Sequence, residues 1–243
     1  MMSLVTLSQI DEERFGIRTA RCSNIKLADL PHVIDFCMTN GVKLLIARCL
    51  TSDLETAQAL EREGFFLTDV LVYYSRDLLK TPIPEDICDV KVRPFMPGDE
   101  KAIKIIAERA FQGYMGHYHA DPRLDRKKCD EVYVSWAERS CLYREVADQV
   151  FVAVDGEKIL GFNAVRMKNH EESEWILVGV DPSAQRRGIY RSLLINAMLW
   201  SLSKGAKCMI ASTQVQNIAA QKVWVRLGFE PLLSYYTFHK WFD

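Results

Sequence analysis

The chain has 243 residues, 49% of them hydrophobic and 26% charged, with a formal net charge of −1. That composition suits a soluble globular protein with material for one large core or two smaller ones. The balance excludes a general attraction to nucleic acid or anionic membrane, so any anion site must be local. No apolar run approaches the roughly 20 residues that span a bilayer. The opening Met1-Met2-Ser3-Leu4-Val5-Thr6 has neither the basic start nor the sustained apolar stretch of an export signal. The seven cysteines are scattered and form no CxxC pair, which reads as buried free thiols in a reducing cytosol. His117 and His119 stand close in sequence, but no third ligand is near, so no metal is expected.

Taken in order, Gly16 to Cys22 reads as a strand, Leu30 to Asn40 as a helix and Val42 to Cys49 as a strand. Ser52 or Asp53 then caps a helix running to about Glu63, and Phe65 to Ser75 forms another strand. Two prolines in Thr81-Pro82-Ile83-Pro84 interrupt any regular element and mark a seam. Beyond it, Asp99 to Phe111 is an amphipathic helix and Glu131 to Cys141 a second helix. Val150 to Val154 and Ile159 to Val165 flank an Asp-Gly turn, a hairpin signal. A strand over Trp175 to Val180, a helix from Gly188 to about Ser203, a strand over Lys207 to Ala211 and a helix over Asn217 to Leu227 follow. The chain closes on β-forming residues from Pro231 to Trp241.

An internal repeat runs through this order. Gly41-Val42-Lys43-Leu44-Leu45-Ile46-Ala47 matches Gly205-Ala206-Lys207-Cys208-Met209-Ile210-Ala211, and in each copy a Gly-Phe pair follows at the same distance, at Gly64 and at Gly228. Residues 1–85 therefore read as a degenerate copy of the chain's C-terminal part, a structural half-domain without a ligand of its own, and 86–243 as the functional domain. The copies differ at Gln185-Arg186-Arg187-Gly188, between a strand and a helix, which has no counterpart upstream. Free amides at a helix N-terminus, a glycine and two arginines suit a phosphate.

Two motifs share this order and spacing. Gln185-Arg186-Arg187-Gly188-Ile189-Tyr190 resembles the Gln/Arg-x-x-Gly-x-Gly/Ala turn of the GNAT superfamily of N-acetyltransferases. Asn217-x-x-Ala220-x-x-x-Trp224-x-x-x-Gly228-Phe229 resembles that family's Asn-x-x-Ala-x-x-x-Tyr-x-x-x-Gly-Phe helix, and Val90 to Pro94 its opening strand. The resemblance implies an α/β (α+β) fold: a central mixed, mostly antiparallel sheet flanked by helices, here preceded by a degenerate half of the same fold. It also implies acetyl-coenzyme A as acyl donor. The turn from Gln185 through Arg191 and Ser192 would hold the pyrophosphate. Val178 and Val180 would offer backbone groups to the pantetheine arm, and Asn217 and Trp224 would contact it. Two positions depart from the pattern. Tyr190 replaces a small residue, and Trp224 replaces the tyrosine proposed to protonate the departing thiolate; an indole is a very poor acid.

More narrowly, the whole chain resembles bacterial nucleotide-sugar N-acetyltransferases that act on dTDP-4-amino-4,6-dideoxygalactose, through Thr213-Gln214-x-x-Asn217, Ala110-Phe111, Tyr133-x-x-Trp136 and Phe15-Gly16. This implies a cytoplasmic enzyme with a small-molecule amine as partner, expected to be a dTDP-linked amino sugar, and neither nucleic acid nor membrane; a homodimer stays open. The segment from Gln112 to Arg123, where the family builds its acceptor site, supplies Tyr114, His117, Tyr118, His119, Asp121 and Arg123 as substrate contacts, joined by Thr213 and Gln214. His119 or His117 could take the ammonium proton. Glu174 is expected on the same strand face as Val178 and Val180, and Tyr235 or Tyr236 could donate a proton. An acetyl-coenzyme A binding module without catalysis and a peptide or protein N-acetyltransferase are the alternatives.

Overall fold

The computed structural model describes residues 4–242. In chain order the first part comprises β1 (Val5–Leu7), α1 (Gln9–Phe15), β2 (Thr19–Cys22), α2 (Leu30–Thr39), β3 (Leu44–Leu50), α3 (Leu54–Arg62) and β4 (Phe66–Asp77). After the seam come β5 (Lys91–Pro94), α4 (Glu100–Ala110), α5 (Arg126–Leu142), β6 (Gln149–Asp155), β7 (Lys158–Met167) and β8 (Glu172–Val180). The last part is α6 (Ile189–Ser203), β9 (Cys208–Gln214), α7 (Ile218–Arg226) and β10 (Glu230–Trp241). The expected elements are present with shifted ends: α5 starts five residues earlier than its apolar pattern suggested. β8 begins at Glu172, ahead of the expected Trp175, because Glu172, Ser173 and Glu174 already pair with β7 or β9. β1 and α1 carried no recognised signal, being short and mostly polar.

All ten strands form one mixed, mostly antiparallel sheet in the order β1-β2-β3-β10-β4-β9-β8-β7-β6-β5. The repeat is visible in it. β2 and β3 run parallel across α2, as β8 and β9 do across α6. Asp53 caps α3 by accepting from the Thr56 amide at 3.1 Å, and Asn217 caps α7 through the Ala220 amide at 3.3 Å. Gly64 and Gly228 then follow α3 and α7 with φ of +77° and +82°, a left-handed turn that a side chain would strain.

The two copies exchange their last strands. β10 lies between β3 and β4, antiparallel to both, while β4 pairs with β9. Each copy's closing strand thus completes the other's ladder. Three buried clusters cover the sheet. One packs α6 and α7 on β7 to β9 (Leu193, Met198, Trp224, Phe229), and a second packs α4 and α5 on the other face (Ile103, Val132, Phe162, Leu177). The third fills the first copy (Val33, Leu45, Leu60, Phe238). Cys22, Cys37, Cys49 and Cys129 are buried thiols, and among the described residues every cysteine is unpaired. No helix of the described residues is long and apolar enough to cross a membrane.

Two buried charges tie the copies together. Arg76 of β4 donates to the carbonyl of Leu227 at the end of α7 and, at 2.9 Å, to those of Thr81 and Pro82 at the seam. A guanidinium there meets three carbonyls that would otherwise lack donors, one of them at a helix C-terminus. Replacing it by methionine should leave those carbonyls unpaired and cost about 3 kcal/mol, read as a lower urea midpoint with an unchanged slope. Asp11 of α1 is fully buried and accepts from Ser8 (2.6 Å), Arg21 (2.6 and 3.0 Å) and Tyr118 (2.6 Å). Burial alone would raise its carboxyl, but Arg21, Ser8 and Tyr118 outweigh burial and hold it below its usual value of 3.8. The stability linked to this lowered pKa is therefore present above pH 3.8 and lost as pH falls below it. Asp11→Asn should melt lower at neutral pH and lose less than the wild type on acidification from about pH 5 to pH 2.

Candidate functional site

A cavity of about 670 Å³ opens where β8 and β9 part. The two strands pair only from Glu172 to Glu174 against Cys208 to Ile210; β9 continues along β4 to Gln214, while β8 follows β7 to Val180. A bulge adds to the divergence: Leu177 faces Ala164 and Trp175 faces Val165, so Ile176 is an extra residue in β8. The bulge shifts the alternation of side chains. Trp175, Val178 and Val180 pack with the α6/α7 cluster, and Leu177 with the α4/α5 cluster. Glu174 consequently does not share a face with Val178 and Val180, as simple alternation had suggested. It lines the cavity and accepts from Arg166 Nε at 2.6 Å. Val178 lines the cavity as well, whereas Val180 is a buried core residue.

At one end stands the turn that opens α6. Arg186 and Gly188 have φ of +65° and +82°, and Gln185 to Gly188 are exposed. The first amides of this fifteen-residue helix have no carbonyl partner within it, so the backbone can receive an anion. Several side chains expected to contact a cofactor are engaged elsewhere. Arg187 pairs with Asp155 at 2.9 Å and Asp89 at 3.5 Å, Arg191 donates to the Glu85 carbonyl at 3.2 Å, and Ser192 donates to Asp86 at 2.5 Å. Ile189 is buried in the core beneath the turn. The segment 85–89 that follows the seam thus braces the start of α6, a long-range contact no local motif encodes.

Asn217, Trp224 and Tyr190 all line the cavity. Asn217 donates to Thr213 Oγ1 at 3.0 Å while capping α7. The two departures from the family pattern meet: Trp224 Nε1 donates to the Tyr190 hydroxyl at 3.1 Å. Burial raises the Tyr190 pKa and the Trp224 hydrogen bond opposes it, leaving a neutral phenol at working pH.

The opposite wall comes from the loop after α4. Tyr114, His117 and Tyr118 line the cavity with Thr213 and Gln214. Tyr114 donates to Gln214 Oε1 and lies 3.2 Å from Thr213 Oγ1. The other loop residues do not reach it. His119 accepts from the Gly116 amide at 3.3 Å and pairs with Asp130 at 3.0 Å, so both ring nitrogens serve the loop. Asp121 is buried behind His239, and Arg123 stacks 4.1 Å from the Trp241 ring beside a separate small pocket. Tyr236 sits on the face of β10 that packs into the first copy's core near Phe238, and Tyr235 sits on the other, 5.7 Å from the cavity residue Tyr73. The period of two within a strand removes Tyr236 from the cavity.

The first copy contributes more than scaffold. Arg14, Arg21, Arg48, Leu71 and Tyr73 line the same cavity, facing Arg139 and Arg166. In neighbouring strands Arg48, Thr237 and Asp69 stand opposite one another. Arg48 Nε, Thr237 Oγ1 and both Asp69 oxygens are buried without a hydrogen-bond partner among the described residues. Such a row is suited to a polar ligand or water. The reading of 1–85 as a half-domain without a ligand of its own named none of these groups; arginines inside the otherwise apolar strands β2 and β3 were the available signal. No cluster of three metal-ligating side chains occurs among the described residues.

Residues 111–229 match the profile of the acetyltransferase (GNAT) family. The spore coat polysaccharide biosynthesis protein SpsD of Bacillus subtilis is 29% identical over 175 residues, covering 70% of this chain and 58% of that protein. A mycothiol acetyltransferase of Actinosynnema mirum is 31% identical over 150 residues, covering 61% and 46%. The chain thus spans about half the length of the curated relatives it matches. Among solved structures, a GCN5-related N-acetyltransferase from Sphaerobacter thermophilus superposes over 98% of this chain and 76% of its own, with a TM-score of 0.69 at 15% identity. A tandem GNAT protein from the clavulanic acid biosynthesis pathway covers 93% and 76%, with a TM-score of 0.65 at 15% identity. These two likenesses concern the fold. Residues 111–229, the part of the chain similar to the acetyltransferase (GNAT) family, hold the parted strands, the turn opening α6 and the α7 motif.

Proposed function

We propose that the chain is an acetyl-coenzyme A-dependent N-acetyltransferase whose acceptor is a primary amine on a nucleotide-linked amino sugar. The observation that carries this reading is the gathering of the opening between β8 and β9, Tyr190 in the first turn of α6 and Asn217 and Trp224 around one cavity. The donor fits these residues. Beyond Glu174 the edge of β8 facing β9 has no ladder partner and can pair with the amides of the pantetheine arm; the free amides of α6 can take the pyrophosphate. A thioester lying along β8 presents its carbonyl beside backbone donors near the bulge, which would steady the developing oxyanion.

The acceptor assignment rests on the arginine-rich wall from the first copy, which matches the negative charge of a sugar nucleotide, and on the aromatic rings of Tyr73, Tyr114 and Tyr118. A relative named for spore coat polysaccharide biosynthesis supports a sugar-bearing acceptor, and others named as mycothiol acetyltransferases support acetyl transfer to a small molecule. In this reaction the amine lone pair attacks the thioester carbon and the carbon–sulfur bond breaks. The Tyr190 hydroxyl gives its proton to the departing thiolate, with Trp224 holding its oxygen in place, and the phenolate takes a proton back from solvent once the thiol has left. A module that binds acetyl-coenzyme A without turnover is the second reading, favoured by the loss of the family's tyrosine at Trp224.

Coenzyme A thiol release from acetyl-coenzyme A should depend on added dTDP-4-amino-4,6-dideoxygalactose and be absent with lysine peptides. Tight acetyl-coenzyme A binding with no release from any amine would select the second reading. Tyr190→Phe should lower kcat by about 100-fold while changing the KM for acetyl-coenzyme A little. Adding Trp224→Tyr to that variant should restore part of kcat, since it returns a phenol to the α7 position; equal activity of Tyr190→Phe and wild type would discard the tyrosine's role.

A further inference from the structure

Behind the cavity wall three side chains from separate parts of the chain form one hydrogen-bonded line. Asp121 Oδ2 lies 2.7 Å from His239 Nδ1, and His239 Nε2 lies 2.9 Å from His117 Nδ1. Asp121 and His239 are essentially sealed from solvent, at 2% and 0% exposure, whereas His117 lines the cavity. The carboxylate is fixed at the inner end: Oδ2 also accepts from Trp241 Nε1 at 2.9 Å, and Oδ1 accepts from the Arg123 amide at 3.0 Å. Burial would raise its pKa, but these donors and His239 hold it below the usual carboxylate value, so it stays charged and acts only as an acceptor.

That charge fixes the proton at the inner end of the line, on His239 Nδ1. With that as the single proton on the His239 ring, Nε2 accepts and His117 Nδ1 donates. A neutral His117 is left with an unprotonated Nε2, the nitrogen available to a ligand in the cavity. Burial lowers the His117 pKa well below its ordinary value. The fixed cations Arg48 of β3 and Arg21 of β2 act in the same direction, as would a proton gained by His239 of β10 or His119 of the same loop. The imidazole is therefore neutral, with its lone pair available, across the neutral pH range.

We infer that His117 is the general base for the acceptor amine, with His239 and Asp121 as the residues that fix its tautomer and position. The inference rests on the acetyltransferase reading. As the amine nitrogen bonds to the thioester carbon, its proton passes to His117 Nε2 while the sulfur leaves. The imidazolium so formed donates through Nδ1 to His239, whose Nδ1 hydrogen bond to Asp121 places the carboxylate charge behind it. His117 then returns its proton to solvent. An acceptor carrying negative charge beside Arg21 and Arg48 would offset the two cations that depress this base, so that a sugar nucleotide raises its basicity on binding.

The test uses the full chain with acetyl-coenzyme A and whichever of dTDP-4-amino-4,6-dideoxygalactose, glucosamine and a lysine peptide supports thiol release. His117→Gln retains a hydrogen-bonding side chain but cannot take a proton. It should lose about 100-fold in kcat near pH 7 with acetyl-coenzyme A binding unchanged by calorimetry. Its deficit should shrink as the pH rises and hydroxide takes over removal of the proton from the attacking nitrogen. His239→Gln should show the same pH-dependent deficit at about 10-fold, with His117 still present. Because His239 is sealed in the core, melting temperatures of both variants are compared with the wild type, and the pH profile decides for those that remain folded. A His117→Gln profile parallel to that of the wild type and within 2-fold of it would overturn the assignment. Acetyl-coenzyme A binding by the wild type with no release from any of the three amines would overturn the acetyltransferase reading, and the base with it.

Discussion

The seating of β10 between β3 and β4 is the constraint on which the site depends. A strand in the middle of a sheet must satisfy its backbone groups on both sides. β10 does so only by joining the first copy's penultimate strand to that copy's own last strand, while β4 crosses to pair with β9. The exchange holds residues far apart in sequence in a fixed register. Thr237 stands between Arg48 and Asp69, and His239 meets His117 and Asp121. A one-residue slip of β10 would turn His239 and Thr237 to the opposite face and present Phe238 to the cavity side.

Once that register is set, the parting of β8 and β9 follows from competition for pairing. β9 follows β4 and β8 follows β7, and the two stay together for only three residue pairs. The extra residue Ile176 then turns Leu177 towards α4 and α5 while Trp175 remains under α6 and α7. Two helices with different tasks thus flank one opening. α6 brings unpaired amides, and α7 brings Asn217 and Trp224 to the same wall as Tyr190. The Trp224–Tyr190 hydrogen bond makes two departures from the family pattern intelligible as one exchange, with the phenol carried on α6 instead of α7. Neither residue alone suggests this, because the partner lies 34 positions away.

The sequence by itself determined the local elements, the repeat and the likeness to an acetyltransferase family over residues 111–229. Each rests on short-range chemistry: apolar alternation, the Asp53 and Asn217 caps, glycines after α3 and α7, and the turn before α6. These signals name what a segment can become. They carry no information on which strand pairs with which, or on what a side chain meets across the sheet. That is why His119, Asp121, Arg123 and Tyr236 looked like candidate site residues and proved to serve the loop, the buried line behind the wall and the first copy's core. It is also why Arg14, Arg21 and Arg48 went unrecognised. Only the tertiary structure decided the strand exchange, the bulge that turns Glu174 away from the face of Val178, and the line from Asp121 to His117. All three depend on long-range backbone pairing and burial, which fix a side chain's partner and protonation only after the chain has closed on itself.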